Sequence, residues 1–148
     1  MPKNDLETLA LADRWMPRLA ELGAGVRDAL RASLAQQDLE RSSAVLRDGD
    51  GDTIFAIDVD AERILLGLAE RWSRSDAFTL VAEGIEPATG LVLGRGEPQA
   101  RLIVDPIDGT RGLMFDKRSA WCLAAVAQES GAATRLTQVA CAFMTELP

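Results

Sequence analysis

The sequence predicts an α+β domain in which paired helices pack on a mainly antiparallel sheet. Two helical stretches come first, and short apolar runs bounded by Gly, Pro and acidic residues follow them. This order, helices and then hairpin-connected strands, is typical of α+β proteins. The 148 residues, 47% hydrophobic and 26% charged, are enough for one domain with its own core. We therefore treat residues 1–148 as a single domain.

The first element is a helical region from about Asn4 to Glu40. Pro17 is expected to kink or split it, and Gly23 and Gly25 weaken it locally. The apolar residues that recur at helical spacing are Leu6, Leu9, either Trp15 or Met16, Leu19, Leu22, Val26, Leu30 and Leu34.

A turn-like acidic stretch, RDGDGD at residues 47–52, comes next. A short β-prone run, Thr53–Ile57, follows it, and Asp58 or Asp60 is placed to cap a second helix.

The alternating aspartates of this stretch invite comparison with an EF-hand calcium loop. Counted from Asp48, position six is Thr53 where the loop needs Gly, and position twelve is Val59 where it needs an acid. We therefore prefer a solvated acidic turn to a calcium loop.

The remaining sequence predicts strands. Three short apolar runs precede a break at residues 105–118, and two longer runs joined by SGAA follow it. The runs are FTLVAE, GLVLGRG and RLIVD, then SAWCLAAVAQE and RLTQVACAFM.

Composition excludes several classes of function. The net charge of −7 argues against a nucleic-acid partner or an anionic membrane surface, because both require a basic face. The chain has no His and no Tyr, which removes Ser-His-Asp catalysis, HExxH zinc sites and His acid–base chemistry. Cys122 and Cys141 lie in apolar runs and are expected to be buried in a reducing compartment. With no signal peptide or membrane-spanning run recognised, a cytoplasmic protein is expected.

Acidic residues stand at the ends of two predicted strands. Glu83 ends FTLVAE, Asp105 ends RLIVD, and Asp108 follows within DPIDGT. Carboxylates that converge at strand ends repel one another unless a cation lies between them, and oxygen donors suit Mg²⁺. Backbone amides at Gly109 and Thr110 could bind an anion beside it. The spacing alone leaves open that Asp105 and Asp108 merely cap a turn.

The run IVDPIDGTRG resembles the signature of the inositol monophosphatase family of Mg²⁺-dependent, lithium-sensitive sugar phosphatases. LVAE and DGDTIFAIDVDAE resemble two further segments of that family, at suitable spacings upstream. The resemblance covers most of the chain but only the N-terminal half of a typical member. It implies the N-terminal, metal-binding half of a layered αβαβα sugar-phosphatase fold, without the C-terminal half.

The resemblance also implies a ligand set for two or three Mg²⁺ ions. Glu83, Asp105 and the carbonyl of Ile107 would hold the first ion, and Asp105 and Asp108 would share a second. Glu83 would thereby take part in catalysis as well as in metal binding.

Three further roles follow from the same resemblance. The amides of Gly109 and Thr110 would bind the phosphate, and the Thr110 hydroxyl with Asp58 would orient the attacking water. Arg47 and Asp52 would be contacts on the metal loop.

The implied activity is a Mg²⁺-dependent phosphomonoesterase that hydrolyses a small sugar or inositol phosphate by metal-activated water. Family members are commonly dimers, so a homo-oligomer is expected, with an exposed apolar sheet face where the second half is missing. Two departures stand out: Gly84 replaces a second glutamate, although Glu86 is near, and no W-D-x-A segment is present. The alternative is a catalytically impaired fragment that binds a cation or a partner.

Overall fold

The computed structural model describes residues 3–35, 45–48, 53–114 and 118–148. Three helices and seven strands lie in these ranges, and two 3₁₀ turns, Gly131–Ala133 and Leu136–Gln138, precede the last strand. In chain order they are α1 (Lys3–Ala35), β1 (Val45–Asp48), β2 (Thr53–Phe55), α2 (Ala56–Ser73), β3 (Phe78–Ala82), β4 (Leu91–Leu93), β5 (Ala100–Asp108), α3 (Thr110–Met114), β6 (Ala120–Gln128) and β7 (Val139–Leu147).

The five strands β3 to β7 form one sheet in the order β4-β3-β5-β6-β7. Only β3 and β5 run parallel; the other neighbouring pairs are antiparallel. Strands β1 and β2 form a separate antiparallel pair. The prediction of helices on a mainly antiparallel sheet is confirmed.

Helices α1 and α2 cover one face of this sheet. Alternate residues along β5 and β6 are buried against them, as expected for strands with one face in a core. Trp15 anchors the core, with its ring edge-on to both Phe78 and Trp72. The largest side chains in the core, all 2% exposed or less, are Trp15, Leu19, Leu22, Val26, Leu65, Phe78, Leu80, Leu102, Cys122, Val126 and Leu147.

The opposite face of the sheet is more open. Ile103 and Leu123, which lie on this face, are half-buried, while Val92 and Met144 are 57% and 61% exposed. An uncovered apolar sheet face of this kind was expected from the sequence.

Helix α1 contradicts one of the two outcomes predicted for Pro17, a split of the helical region. It runs without interruption through Pro17, from Lys3 to Ala35. Trp15 and Leu19 on either side are buried to 1% and 0% exposure, and this burial offsets the cost of about 3 kcal/mol for proline inside a helix. Residues 36–40 of the predicted helix lie outside the described residues.

Two other boundaries also differ from the sequence prediction. Helix α2 begins at Ala56, so Asp58 lies in its first turn, where a carboxylate is stabilised by the helix dipole. Residues Leu136–Gln138 form a 3₁₀ turn instead of the start of a strand, and β7 begins at Val139. Residues 49–52 of the acidic turn are outside the described ranges.

Gly23 allows α1 to lie very close to β7. A Cβ atom at this position would overlap the hydroxyl group of Thr145. The glycine that weakens the helix locally is therefore required for helix–sheet packing.

Candidate functional site

The candidate site is built around a bulge at the end of β5. Asp105 pairs with Leu123 of β6, and Asp108 pairs with Trp121, so one extra residue is accommodated on β5. The N–H of Ile107 donates a hydrogen bond of 3.1 Å to Oδ1 of Asp105. The bulge therefore fixes the backbone that connects the two aspartates.

Glu83 reaches the same edge of the sheet from a neighbouring strand. Strands β3 and β5 are parallel, with Ala82 paired to Val104, so their carboxyl ends lie side by side. The N–H of Glu83 donates to the carbonyl of Val104 at 3.2 Å. This pairing places Glu83 beside Asp105, although 22 positions separate them in the sequence.

The charges at this edge of the sheet perturb Asp105. Its pKa is raised from the usual 3.8 to about 7, first by burial and then by the negative charges of Glu83 and Asp108. The hydrogen bond from the Ile107 N–H opposes this rise. Asp105 is thus an acidic group whose charged form the protein alone does not stabilise.

The three carboxylates have the donor chemistry that Mg²⁺ requires. Their oxygens are hard ligands, and a cation between them would offset both the burial and the repulsion that raise the pKa of Asp105. Within the described ranges, however, no three Cys, Asp or Glu side chains are gathered closely enough to form a metal-holding group. We therefore conclude that the residues fit Mg²⁺ by charge and ligand type, and that the side chains must converge further to coordinate it.

Thr110 and Asp58, the two residues predicted to orient the attacking water, lie beside the bulge. The Thr110 hydroxyl lies 2.9 Å from Oδ1 of Asp58 and 3.0 Å from the carbonyl of Ile107. Because the hydroxyl has one hydrogen, it donates fully to only one of these oxygens at a time. The structure thus joins the first turn of α2 to the start of α3 across 52 sequence positions.

Gly109 sits between the β5 bulge and α3. Its φ of +91° is in the left-handed region, which favours glycine. A Cβ atom here would have ordinary contacts, the nearest being 3.7 Å from the Cα of Ala120, so conformation and not space selects glycine. The amides of Gly109 and Thr110 begin a helical turn, where the first N–H groups lack partners within the helix.

Sequence reasoning missed Glu62 of α2. Its Oε2 atom is 3.7 Å from the position of a Cβ at Gly84, so a carboxylate from another element lies beside Gly84, where the resemblance implied a second glutamate. Gly84 itself has a φ of +78°. Glu86, the nearby acid noted in the sequence, instead accepts a hydrogen bond from the N–H of Ala88. The helical position of Glu62, four residues after Asp58, was the available signal.

Four further residues were singled out in the sequence: Arg47, Asp52, Cys122 and Cys141. Arg47 lies on β1, paired with Ile54, and Asp52 is outside the described residues. Both cysteines are free and buried, as predicted, and burial raises the pKa of Cys122 to about 11, with the charge of Asp105 adding to the effect. Neither thiol is suited to nucleophilic chemistry.

Among the helices of the described ranges, none combines the length and the apolar composition that a membrane span requires.

Comparisons with known proteins identify the fold. No protein-family model and no curated protein sequence matches the chain. A protein assigned as a sedoheptulose-1,7 bisphosphatase from Toxoplasma gondii matches with 18% identity and a TM-score of 0.51, over 85% of this chain and 33% of that one. The extragenic suppressor protein suhB from Bartonella henselae matches with 16% identity and a TM-score of 0.51, over 87% of this chain and 50% of that one. The chain spans half or less of the length of both proteins and has the fold of that part.

Proposed function

We propose that the chain carries the metal-binding part of a Mg²⁺-dependent phosphomonoesterase of the inositol monophosphatase superfamily. The observation that carries the proposal is the position of Glu83, Asp105 and Asp108 along one sheet edge, close enough that their charges help to raise the pKa of Asp105 to about 7. The sequence signature and the shared fold with a protein named as a bisphosphatase support it. The substrate class we propose is a small phosphorylated metabolite, such as a sugar or inositol phosphate.

The residues around the bulge have separable roles in this proposal. Glu83, Asp105, Asp108 and the carbonyl of Ile107 would hold the cation. Bound there, Mg²⁺ would neutralise charge on the phosphate and make a water molecule a better nucleophile. The amides of Gly109 and Thr110 would hold the phosphate oxygens beside it.

Asp58 and Thr110 would orient the attacking water. When the Thr110 hydroxyl donates to Asp58, its oxygen lone pairs remain free to accept a hydrogen bond from water. Asp58, the acceptor at the far end, can take up proton density through the hydroxyl as the water attacks phosphorus. Phosphate hydrolysis by this route needs no histidine, which agrees with the composition.

The test is a phosphatase assay with inositol monophosphate, fructose 1,6-bisphosphate and a nucleoside bisphosphate, each with and without Mg²⁺. We expect Mg²⁺-dependent phosphate release that falls about a thousandfold in Asp105→Asn and in Asp108→Ala, because several kcal/mol of charge stabilisation are lost. Glu70→Gln, which removes an exposed acid at the opposite end of α2, is the matched control and should keep full activity. Turnover that is independent of Mg²⁺, or equal in Asp108→Ala and the parent chain, would contradict the proposal.

A second candidate is a cation-binding or partner-binding fragment without catalysis. The resemblance supports it at one position, because Gly84 stands where the family pattern has a second glutamate. Calorimetric titration with Mg²⁺ separates the candidates. Saturable binding that is lost in Asp105→Asn, without turnover of any of the three substrates, would favour the fragment.

We also propose that the chain forms a homo-oligomer, a dimer by expectation, through its open sheet face. Val92 and Met144 on this side are more than half exposed, and burying apolar surface of this kind favours association. Light scattering should give a mass above the 15.9 kDa of one chain. A single monomeric species at high concentration would rule the proposal out.

A further inference from the structure

Helix α2 lies across the edge of the sheet that carries the acidic residues. Its first turn reaches the end of β5, because Oδ1 of Asp58 is 2.9 Å from the hydroxyl of Thr110. Its second turn reaches the end of β3, because Oε2 of Glu62 is 3.7 Å from the position of a Cβ at Gly84. Asp58 and Glu62 are both half-buried. Two successive turns of one helix therefore place a carboxylate beside the ends of two different strands.

The spacings of helix and sheet explain this arrangement. Residues four apart in a helix lie on the same face, with Cβ atoms about 5–6 Å apart. Neighbouring strands lie about 4.8 Å apart, and β3 and β5 are direct neighbours that run parallel. One turn of α2 therefore covers nearly the same distance as one step across the sheet. With Asp58 at the end of β5, the backbone brings Glu62 to the end of β3.

Gly84 leaves room for the carboxylate of Glu62. It is the third residue of a turn after β3, which is closed by a hydrogen bond of 3.2 Å from the N–H of Ile85 to the carbonyl of Ala82. Its φ of +78° is in the left-handed region that this turn position often requires. Because glycine has no side chain, the helix can bring Glu62 close to the turn. A carboxylate of α2 thus lies next to the residue that directly follows Glu83.

Glu83 connects Glu62 to the centre of the candidate site. The carboxyl group of Glu83 is close enough to that of Asp105 for a hydrogen bond between them. Among the described residues, no three acidic side chains are gathered closely enough to hold an ion together. Mg²⁺ keeps several water molecules when it binds to a protein, and these need hydrogen-bond acceptors. A carboxylate at the margin of the group is suited to accept from those waters.

We propose that Glu62 is a positioning residue of the cation site, which accepts hydrogen bonds from water molecules bound to Mg²⁺ on the β3 side. This inference rests on the proposed function, because it requires an ion held by Glu83 and Asp105. The two acids of α2 then have separate tasks. Asp58 acts through the Thr110 hydroxyl on the attacking water, and Glu62 fixes the remaining water ligands of the ion.

The experiment is a calorimetric titration of the full chain with MgCl₂. In Glu62→Gln, which keeps the size of the side chain and removes its charge, the dissociation constant of Mg²⁺ should rise about 10- to 100-fold. The matched control is Asp60→Asn, which removes one charge from the same turn of α2. Asp60 is about 200° around the helix from Glu62 and pairs with Arg63 at 2.8 Å. The control should change the dissociation constant by less than about threefold.

A second pair of variants tests whether a carboxylate at this place is what matters. Starting from Glu62→Ala, the change Gly84→Glu supplies a carboxylate from the turn, and Gly84→Gln supplies an uncharged side chain of the same size. Both variants bear the same backbone cost at a φ of +78°. We expect the Gly84→Glu variant to bind Mg²⁺ about tenfold more tightly than the Gly84→Gln variant. Thermal unfolding in EDTA establishes that each variant is folded.

The outcomes separate this inference from the proposed function. Absence of saturable Mg²⁺ binding by the parent chain would overturn both. Binding that is lost in Asp105→Asn but is equally tight in Glu62→Gln and the parent would overturn the role of Glu62 alone. Equal weakening in Glu62→Gln and Asp60→Asn, or equal affinity of the two Gly84 variants, would also overturn it, because general negative charge would then account for the binding.

Discussion

At the two ends of strand β5, the pKa values of partly buried acidic residues are shifted in opposite directions. Arg101 and Asp105 lie four residues apart on the same face of this strand. At the Arg101 end, Glu129 is paired and its pKa is lowered, although burial alone would raise it; hydrogen bonds from Thr79, Arg101 and the Gly131 N–H outweigh the burial. At the Asp105 end, burial and neighbouring acids raise the pKa of the carboxyl to about 7.

The difference separates a structural site from a candidate functional one. The Arg101–Glu129 pair, with side chains 14% and 11% exposed, balances its opposite charges within the chain. At the Asp105 end, the neighbouring charges that shift the pKa of the carboxyl are the negative charges of Glu83 and Asp108. The folded protein itself stabilises the charged form of Glu129 through Arg101. The charged form of Asp105 requires a ligand for its stabilisation.

Removing the Arg101–Glu129 ion pair should have the largest effect on stability. Arg101→Gln leaves Glu129 partly buried without its partner, so the free energy of unfolding should fall by about 3 kcal/mol. Urea denaturation measures the loss. The control Arg74→Gln removes an ion pair whose side chains are 75% and 77% exposed and should change stability by less than about 0.5 kcal/mol. Similar losses in the two variants would mean that burial does not distinguish the pairs.

Adding Mg²⁺ should stabilise the protein through the Asp105 end of β5 and not through the Arg101 end. At Mg²⁺ concentrations about 100 times the dissociation constant, the free energy of unfolding should rise by about 2.7 kcal/mol. The rise should vanish in Asp105→Asn and persist in Arg101→Gln. A thermal unfolding series with Mg²⁺ and EDTA tests this. Equal stabilisation of the parent chain and Asp105→Asn would place the cation elsewhere.

The two ends should also respond to pH with opposite signs. For Asp105 the folded pKa lies above the unfolded value of 3.8, so its contribution is most favourable below pH 3.8 and is lost as pH rises through about 7. After discounting for solvent screening, we expect a loss of about 1–2 kcal/mol in metal-free protein. For Glu129 the folded pKa lies below the usual 4.5, so its contribution is present above pH 4.5 and is lost as pH falls below it.

Urea denaturation between pH 3 and pH 8 in EDTA measures both responses. Asp105→Asn should abolish the decline between pH 4 and pH 7, and Glu129→Gln should reduce the loss at acid pH. An unchanged decline in Asp105→Asn would show that another group is responsible.

The smallest expected effect concerns the backbone beside the bulge. Gly109→Ala forces a side-chain residue into the left-handed region and should cost about 1–2 kcal/mol, with no added clash because the nearest atom is 3.7 Å away. Gly67→Ala in α2, where a Cβ atom would have no neighbour within 4 Å, should instead stabilise the protein by up to about 1 kcal/mol. Equal effects would exclude the conformational explanation.

Much of the fold could be predicted from local pattern. Apolar runs bounded by Gly, Pro and acidic residues marked β5 and β6, helical spacing marked α1, and a capping aspartate marked the start of α2. Pairing could not be predicted in the same way. The parallel contact of β3 with β5, which brings Glu83 to Asp105, depends on the whole sheet.

The part of the candidate site that lies in one continuous stretch of sequence could be predicted. Residues brought to the site from distant parts of the sequence were harder to predict. The DPIDGT run directed attention to Asp105, Asp108 and Thr110. Glu62, beside Gly84, was missed because its proximity arises from helix packing. The pairing of Arg101 with Glu129 was missed for the same reason, since 28 positions separate the two residues.

The contact between Gly23 and Thr145 has a consequence for folding. Helix α1 is the first described element of the chain, and β7, against which it packs, is the last. During synthesis, β7 cannot cover the buried side of α1 until residues 139–147 have left the ribosome. The sheet order leads us to expect slow, strongly cooperative folding, because the contacts that enclose the core join the two ends of the described chain.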